Sequence, residues 1–211
     1  KEITKISPES GVYNSPKPSS DGKIAFLGHP SKDYSYVAFD LYLNDGKQTK
    51  KLTKDLSATP RELFWLNEEE LAFSIDDHGA SKVQIINISS GELSEIIANF
   101  KEQFYLSSVH NDVLFGTYAN AKRPAELAVI KNNKVEKLSS FNEVALGQYE
   151  LGNTIEINYK APDGMDVQGW YITPPKFDKS KKYPLILVIH GGPHSMYRNQ
   201  FNYLWHQFAS D

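Results

Sequence analysis

Five consecutive apolar residues, Leu185-Ile186-Leu187-Val188-Ile189, run directly into His190-Gly191-Gly192-Pro193. Adjacent glycines leave bare backbone, with no Cβ to block the approach of a ligand atom. The chemistry open to such a loop is the binding of a developing anion. During acyl transfer the carbonyl oxygen becomes negative, and a preorganised N–H donor aimed at it is worth about 2.7–4 kcal/mol when removed. In an α/β-hydrolase one donor comes from a glycine loop after an early strand and the other from the residue following the nucleophile. By position, Gly192 is the candidate for the first donor, and Gly191 and His190 line the same loop. A Gly-Gly-Pro run also makes a plain sharp turn, and the glycine pair alone favours that plainer reading.

Other residues invite chemistry less well. His190 and His194 have the i, i+4 spacing of a helical zinc motif, but the glycines and Pro193 between them oppose a helix, and the general-base Glu is missing. No metal and no cofactor is expected. Asp76-Asp77-His78-Gly79 reads as a solvated turn between strands. Ser195 lies close to the loop yet lacks a Gly-x-Ser-x-Gly setting, and no serine in the 211 residues has one. Arg123 could hold a peptide carboxylate from a cavity wall, although a surface charge is the simpler reading. Trp65, Trp170 and Trp205 read as packing residues, and His29 and His110 as neighbours of strands.

The elements that must carry the loop show a repeat. Similar strands recur around Phe26 ("KIAFLG"), Phe73 ("ELAFSI") and Phe115 ("DVLFGT"), at intervals of 47 and 42 residues. Each is followed by another strand, a tight turn and a last strand. The turns Asn44-Asp45-Gly46, Ser89-Ser90-Gly91 and Asn132-Asn133 supply residues that tolerate positive φ. Four strands per 40 to 45 residues is the β-propeller pattern, with a generic antiparallel sheet or sandwich as the alternative. Three blades do not close a ring, so further blades are expected before Lys1 or from another molecule.

From about Phe141 the pattern changes. Thr154–Lys160 and Asp166–Thr173 flank an Ala-Pro-Asp-Gly turn and predict a hairpin. The unalternating run Leu185–Ile189 predicts a strand covered on both faces, as inside a parallel sheet. Phe201, Leu204, Trp205 and Phe208 predict a helix with one apolar face. The expected fold is therefore mostly β: a partial β-propeller of about three four-stranded blades over residues 1–145. Residues 146–211 would follow as the truncated start of an α/β-hydrolase domain, with its opening hairpin, strand and helix.

The blade wording "DGKIAFLGH" and "RPAELAVI", the hairpin "YKAPDGMDVQGWYITPP" and the stretch "KYPLILVIHGGPHSMY" together resemble the prolyl oligopeptidase family of serine peptidases, most closely its acylaminoacyl-peptidase branch. The resemblance covers nearly the whole chain. It implies a serine hydrolase of short or N-acylated peptides, with a propeller that restricts large substrates and an oxyanion-hole amide supplied by Gly192. His190 stands where some relatives have tyrosine. The family's Ser-Asp-His triad has no counterpart in this chain, so the sequence reads as a segment of an enzyme and the isolated chain is expected to be inactive. An esterase using the same loop, or a propeller scaffold without catalysis, are the alternatives.

Composition narrows partners further. A formal net charge of -3 offers no attraction for nucleic acid, and no apolar run approaches the length of a membrane helix. Cysteine is absent, so disulfides, thiolate metal sites and a cysteine nucleophile are excluded. The sequence begins with Lys1 and shows no signal segment, and a cytoplasmic location is the default. Open sheet edges and uncovered apolar faces should drive self-association of the chain. Light scattering over a range of concentrations is expected to show oligomers, and a clean monomer throughout would contradict this.

Overall fold

Successive residues of a strand point to opposite faces, and where both faces are apolar that alternation builds two cores rather than one. The computed structural model describes residues 3–210 except 32, 35, 36, 54, 55, 193 and 194. Along Glu70–Asp77, Leu71, Phe73 and Ile75 face one way and Ala72 the other, as the two-residue period of a strand requires. The first set packs with Ala25, Leu27, Leu41, Leu43 and Leu63. Ala72 joins Val83, Phe104, Leu106, Leu114 and Ile130 in a second cluster. This middle layer is thus apolar on both faces, and Phe73 is wholly buried.

The strands are β1 (Val12–Pro18), β2 (Ile24–His29), β3 (Asp40–Asn44) and β4 (Thr49–Lys51), then β5 (Arg61–Trp65), β6 (Glu70–Asp77), β7 (Ala80–Asn87) and β8 (Leu93–Glu95). There follow β9 (Gln103–His110), β10 (Val113–Asn120), β11 (Arg123–Lys131) and β12 (Lys134–Lys137). Each set of four pairs in sequence order with antiparallel neighbours. The second and third sets touch through one parallel bridge, Ser81 to Gln103. The strands expected around Phe26, Phe73 and Phe115 are β2, β6 and β10. The tight turns also form as expected: Gly46, Gly91, Asn132 and Asn133 all have positive φ. Asn44 and Asn87 side-chain oxygens accept backbone N–H bonds that close the first two of these turns. The chain is mostly β, and no helix among the described residues is long and apolar enough to cross a membrane.

A buried carboxylate governs the exit from the third set. Glu126, on β11, accepts hydrogen bonds from Ser139 Oγ, from the Phe141 N–H at 3.1 Å, and from the backbone and side-chain amides of Asn142 at 2.9 and 2.8 Å. These bonds fasten the connection just before the short helix α1 (Glu143–Leu146). Beyond it, β13 (Thr154–Lys160) and β14 (Asp166–Ile172) form the expected hairpin, with Gly164 at φ +88° in its turn.

Two expectations fail. Leu185–Ile189 is irregular backbone outside any sheet, with Leu185 84% and Ile189 77% exposed. A strand covered on both faces needs pairing neighbours on its edges and layers above and below it. The only sheet among the described residues of this region is the β13–β14 hairpin, and the run pairs with neither strand. Consequently the glycine loop does not stand at the rim of a sheet. The helix α2 (Tyr203–Ser210) does form, but its apolar face is not what it buries: Leu204 and Phe208 are exposed, and His206 is the buried residue. His206 Nε2 donates to the Ala121 carbonyl at 2.8 Å, and its ring stacks on Phe201. α2 lies against β14 and the β10–β11 turn, and at that turn the Ala121 carbonyl is met by a donor rather than a leucine.

The hydrogen bonds on Glu126, that of Ser139 foremost, hold its carboxyl at about 2, below the usual 4.5. A depressed folded value means its contribution is present above the unfolded value and is lost as pH falls towards the folded one. In urea titrations the stability advantage of wild type over Glu126→Gln should be constant near neutrality. It should then shrink between about pH 4.5 and pH 2; an advantage that persists at the acid end would contradict the assignment.

Candidate functional site

The glycine loop itself is open. His190, Gly191 and Gly192 are exposed, and a Cβ placed on Gly191 would meet nothing within 4 Å. The His190 Nδ1–H donates to the Gly191 carbonyl at 2.8 Å. Its ring meets Tyr197 edge-on at 5.5 Å, and Tyr197 meets Trp205 edge-on at 5.0 Å. An aromatic chain therefore links the loop to α2. Ser195 is exposed as well. Pro193 and His194 lie outside the described residues, so the zinc spacing has no geometry to weigh. Among the described residues no group of three His, Asp or Glu side chains is placed to hold a metal.

Three residues after Ser195 the chain becomes anchored. Arg198 Nε donates to Asp76 Oδ1 at 3.2 Å, and Arg198 Nη2 donates to Asp76 Oδ2. Asp76 also accepts from Arg61 Nη2 at 2.5 Å and from Ser81 Oγ at 2.6 Å. Burial by itself would raise the Asp76 carboxyl. Hydrogen bonds from Arg198 and Ser81, with the charges of Arg61 and Arg198, outweigh burial and hold it below the usual carboxylate range. The hydrogen bond to Asp76 in turn raises the Arg198 guanidinium. The expectation of a solvated turn at 76–79 is thus corrected at Asp76, which lies one residue before the end of β6, half-buried and fully engaged. It holds for His78, which is exposed at the tip.

Gly79 adds a second point of attachment. Its carbonyl accepts from the Asn199 N–H at 2.8 Å and from Gln103 Nε2 at 2.8 Å. Gln103, wholly buried at the start of β9, also donates to the Asn199 carbonyl at 3.3 Å. Asn199 Nδ2 donates to the Lys101 carbonyl, and Tyr105 Oη–H to Gln200 Oε1. His78 and Gly79 both have positive φ, which makes the β6–β7 turn tight. The Trp170 indole of β14 fills the space where a Cβ on Gly79 would lie, 2.3 Å from Cζ2. The Gln168 side chain on the same strand donates to the His78 carbonyl. One hairpin tip thereby grips both the segment after the glycine loop and the β13–β14 hairpin.

Arg123 pairs with Glu143 at 3.2 Å and is half exposed. It borders a depression of about 470 Å³ with Glu102, Tyr118, Asn120, Val135 and Lys137. Of the tryptophans, Trp65 packs against the first core and donates to the Lys17 carbonyl. Sequence reasoning missed Arg198, Gln103 and His206. Each acts on a partner distant along the chain, and none carries a local motif; the Asx-like and glycine signals mark only the turn they bind.

No protein-family model matches the chain. A protein of Emericella nidulans described as a probable dipeptidyl-peptidase 5 is 28% identical over 206 residues, covering 92% of this chain and 28% of that protein. The crystal structure of an acylaminoacyl peptidase from Pyrococcus horikoshii superposes with a TM-score of 0.75 at 26% identity, covering 90% of this chain and 30% of that one. The β-propeller domain of the Trilobed protease from Pyrococcus furiosus matches 64% of this chain and 41% of its own, with a TM-score of 0.50 and 21% identity, a likeness of fold alone. The chain spans under a third of the length of the first two.

Gly79→Ala should be costly, because φ of +75° strains an alanine and its Cβ would collide with Trp170. We expect a loss of about 1–3 kcal/mol in denaturant unfolding, with altered tryptophan fluorescence. An unchanged midpoint and spectrum would show that Trp170 does not rest on Gly79.

Proposed function

Because the chain belongs to the prolyl oligopeptidase family of peptidases, we propose that it is the segment of a serine-type peptidase that brings propeller blades to the oxyanion side of the active site. In this reading residues 1–145 are blades, about three in number, and residues 146–211 open the hydrolase domain. Substrates are short or N-acylated peptides. The Gly192 N–H donates to the scissile carbonyl oxygen as attack by a serine makes it negative, and Gly191 and His190 line the same loop. A donor of this kind acts on charge present only in the transition state, so it raises kcat rather than tightening substrate binding. The nucleophile, its histidine base and the orienting aspartate come from residues of the intact peptidase other than these.

One observation carries the reading. The similarity to the acylaminoacyl peptidase structure covers 90% of a chain in which strand repeats lead into His190-Gly191-Gly192. The openness of that loop supports it, since a substrate oxygen could approach its backbone unhindered. The exposure of Leu185–Ile189 supplies no support, because a sheet strand behind the loop was part of the expectation.

The purified 211-residue chain should give no turnover of chromogenic acyl-amino-acid or dipeptide amides above background, and no adduct with a serine-directed phosphonofluoridate by mass spectrometry. The intact peptidase should give both, with a single adduct. Turnover and adduct on the 211-residue chain would contradict the proposal. Ester hydrolysis by the intact protein without amide hydrolysis would move it to an esterase, and absence of both would leave a scaffold.

A further inference from the structure

The loop at 190–192 has no sheet behind it among the described residues, yet the segment that follows is tied down by side chains from two separate strands, β6 and β9. Arg198 reaches Asp76 at the end of β6, and Asp76 is shared with Arg61 of β5 and Ser81 of β7. Asn199 is held by its N–H on the Gly79 carbonyl and by its own carbonyl on the buried Gln103 of β9. All of these groups lie at one end of the second and third strand sets, beside the Ser81–Gln103 bridge. Forked donation to a carboxylate fixes direction as well as distance.

We propose that Arg198, Asp76 and Gln103 are positioning residues that set the placement of the Gly192 amide, so that the propeller strands, not only the hydrolase part, orient the oxyanion loop. This rests on the functional reading given above. Arg198 lies six residues beyond Gly192, and the Tyr197–His190 ring contact carries its placement back to the loop. Loosening the anchor leaves the peptide-binding surface in place but lets the donor wander from the developing oxyanion. Misplacement by about 1 Å costs up to about 10²-fold in rate. The signature is therefore a fall in kcat with KM little changed.

Arg198→Met tests this with least damage, because Asp76 keeps Arg61 and Ser81. In the 211-residue chain, amide exchange at Asn199 should accelerate about tenfold or more, while amides of β6 and β10 stay protected. In the intact peptidase, kcat for a peptide amide should fall about 10- to 100-fold at constant KM. Gln103→Met should act in the same direction, and Arg198→Lys should restore part of the loss. Unchanged exchange at Asn199 in both variants overturns the anchor. Faster exchange with unchanged kcat, or a rise in KM alone, overturns the positioning role. If the intact wild type hydrolyses no peptide substrate, the functional reading fails and takes the positioning role with it; the exchange result still decides whether the anchor exists.

Discussion

A carboxylate set between two guanidinium groups is the constraint on which the placement of the glycine loop depends. Asp76 stands at the end of a strand whose centre is fully buried, where withdrawal from water opposes its charge. Only donors can hold it there, and it has three: Arg61, Ser81 and Arg198. The first two come from neighbouring strands and would satisfy much of the group by themselves. The third comes from 122 residues away and brings a loop with it. Breaking one side of a fully buried pair costs about 3–5 kcal/mol, but this pair keeps 23% and 22% of its side-chain surface exposed, which places the figure between that and the 0–1 kcal/mol of surface pairs. Its importance is geometric more than energetic.

Polar ends of the strand sets, rather than apolar faces, meet the C-terminal region. Gly79 offers a carbonyl and leaves room for an indole, Ala121 offers a carbonyl to His206 Nε2, and the buried Gln103 Nε2 bridges two backbone carbonyls. Apolar matter there remains uncovered. Leu185–Ile189 and the Leu204 and Phe208 side chains face solvent.

How much of this was legible in the sequence follows from the range of each signal. Turn chemistry is local, so Gly46, Gly91 and Asn132-Asn133 announced their hairpins. The Phe26, Phe73 and Phe115 strands could be read because each repeats a short pattern. Leu185–Ile189 shows the limit: an apolar run states that burial would be favourable, whereas forming a strand requires partners that the run cannot specify. The α2 periodicity likewise measured which face was oily, not which neighbour was polar. Arg198 was invisible for the opposite reason, since a single arginine in "MYRNQ" has no pattern and its meaning lies in Asp76. The His-Gly-Gly loop was conspicuous in sequence, but what holds it was not.

The chain contains no cysteine, so a single nitroxide can be placed at will. With Lys101→Cys labelled, the described geometry puts the probe beside Asn199, whose side chain bonds the residue 101 carbonyl. Paramagnetic broadening of the Asn199 and Gln200 amide resonances, abolished on reduction of the nitroxide, is the result that this account predicts. Sharp resonances for both residues in the oxidised, folded protein would contradict the docking of the post-loop segment on the strand ends.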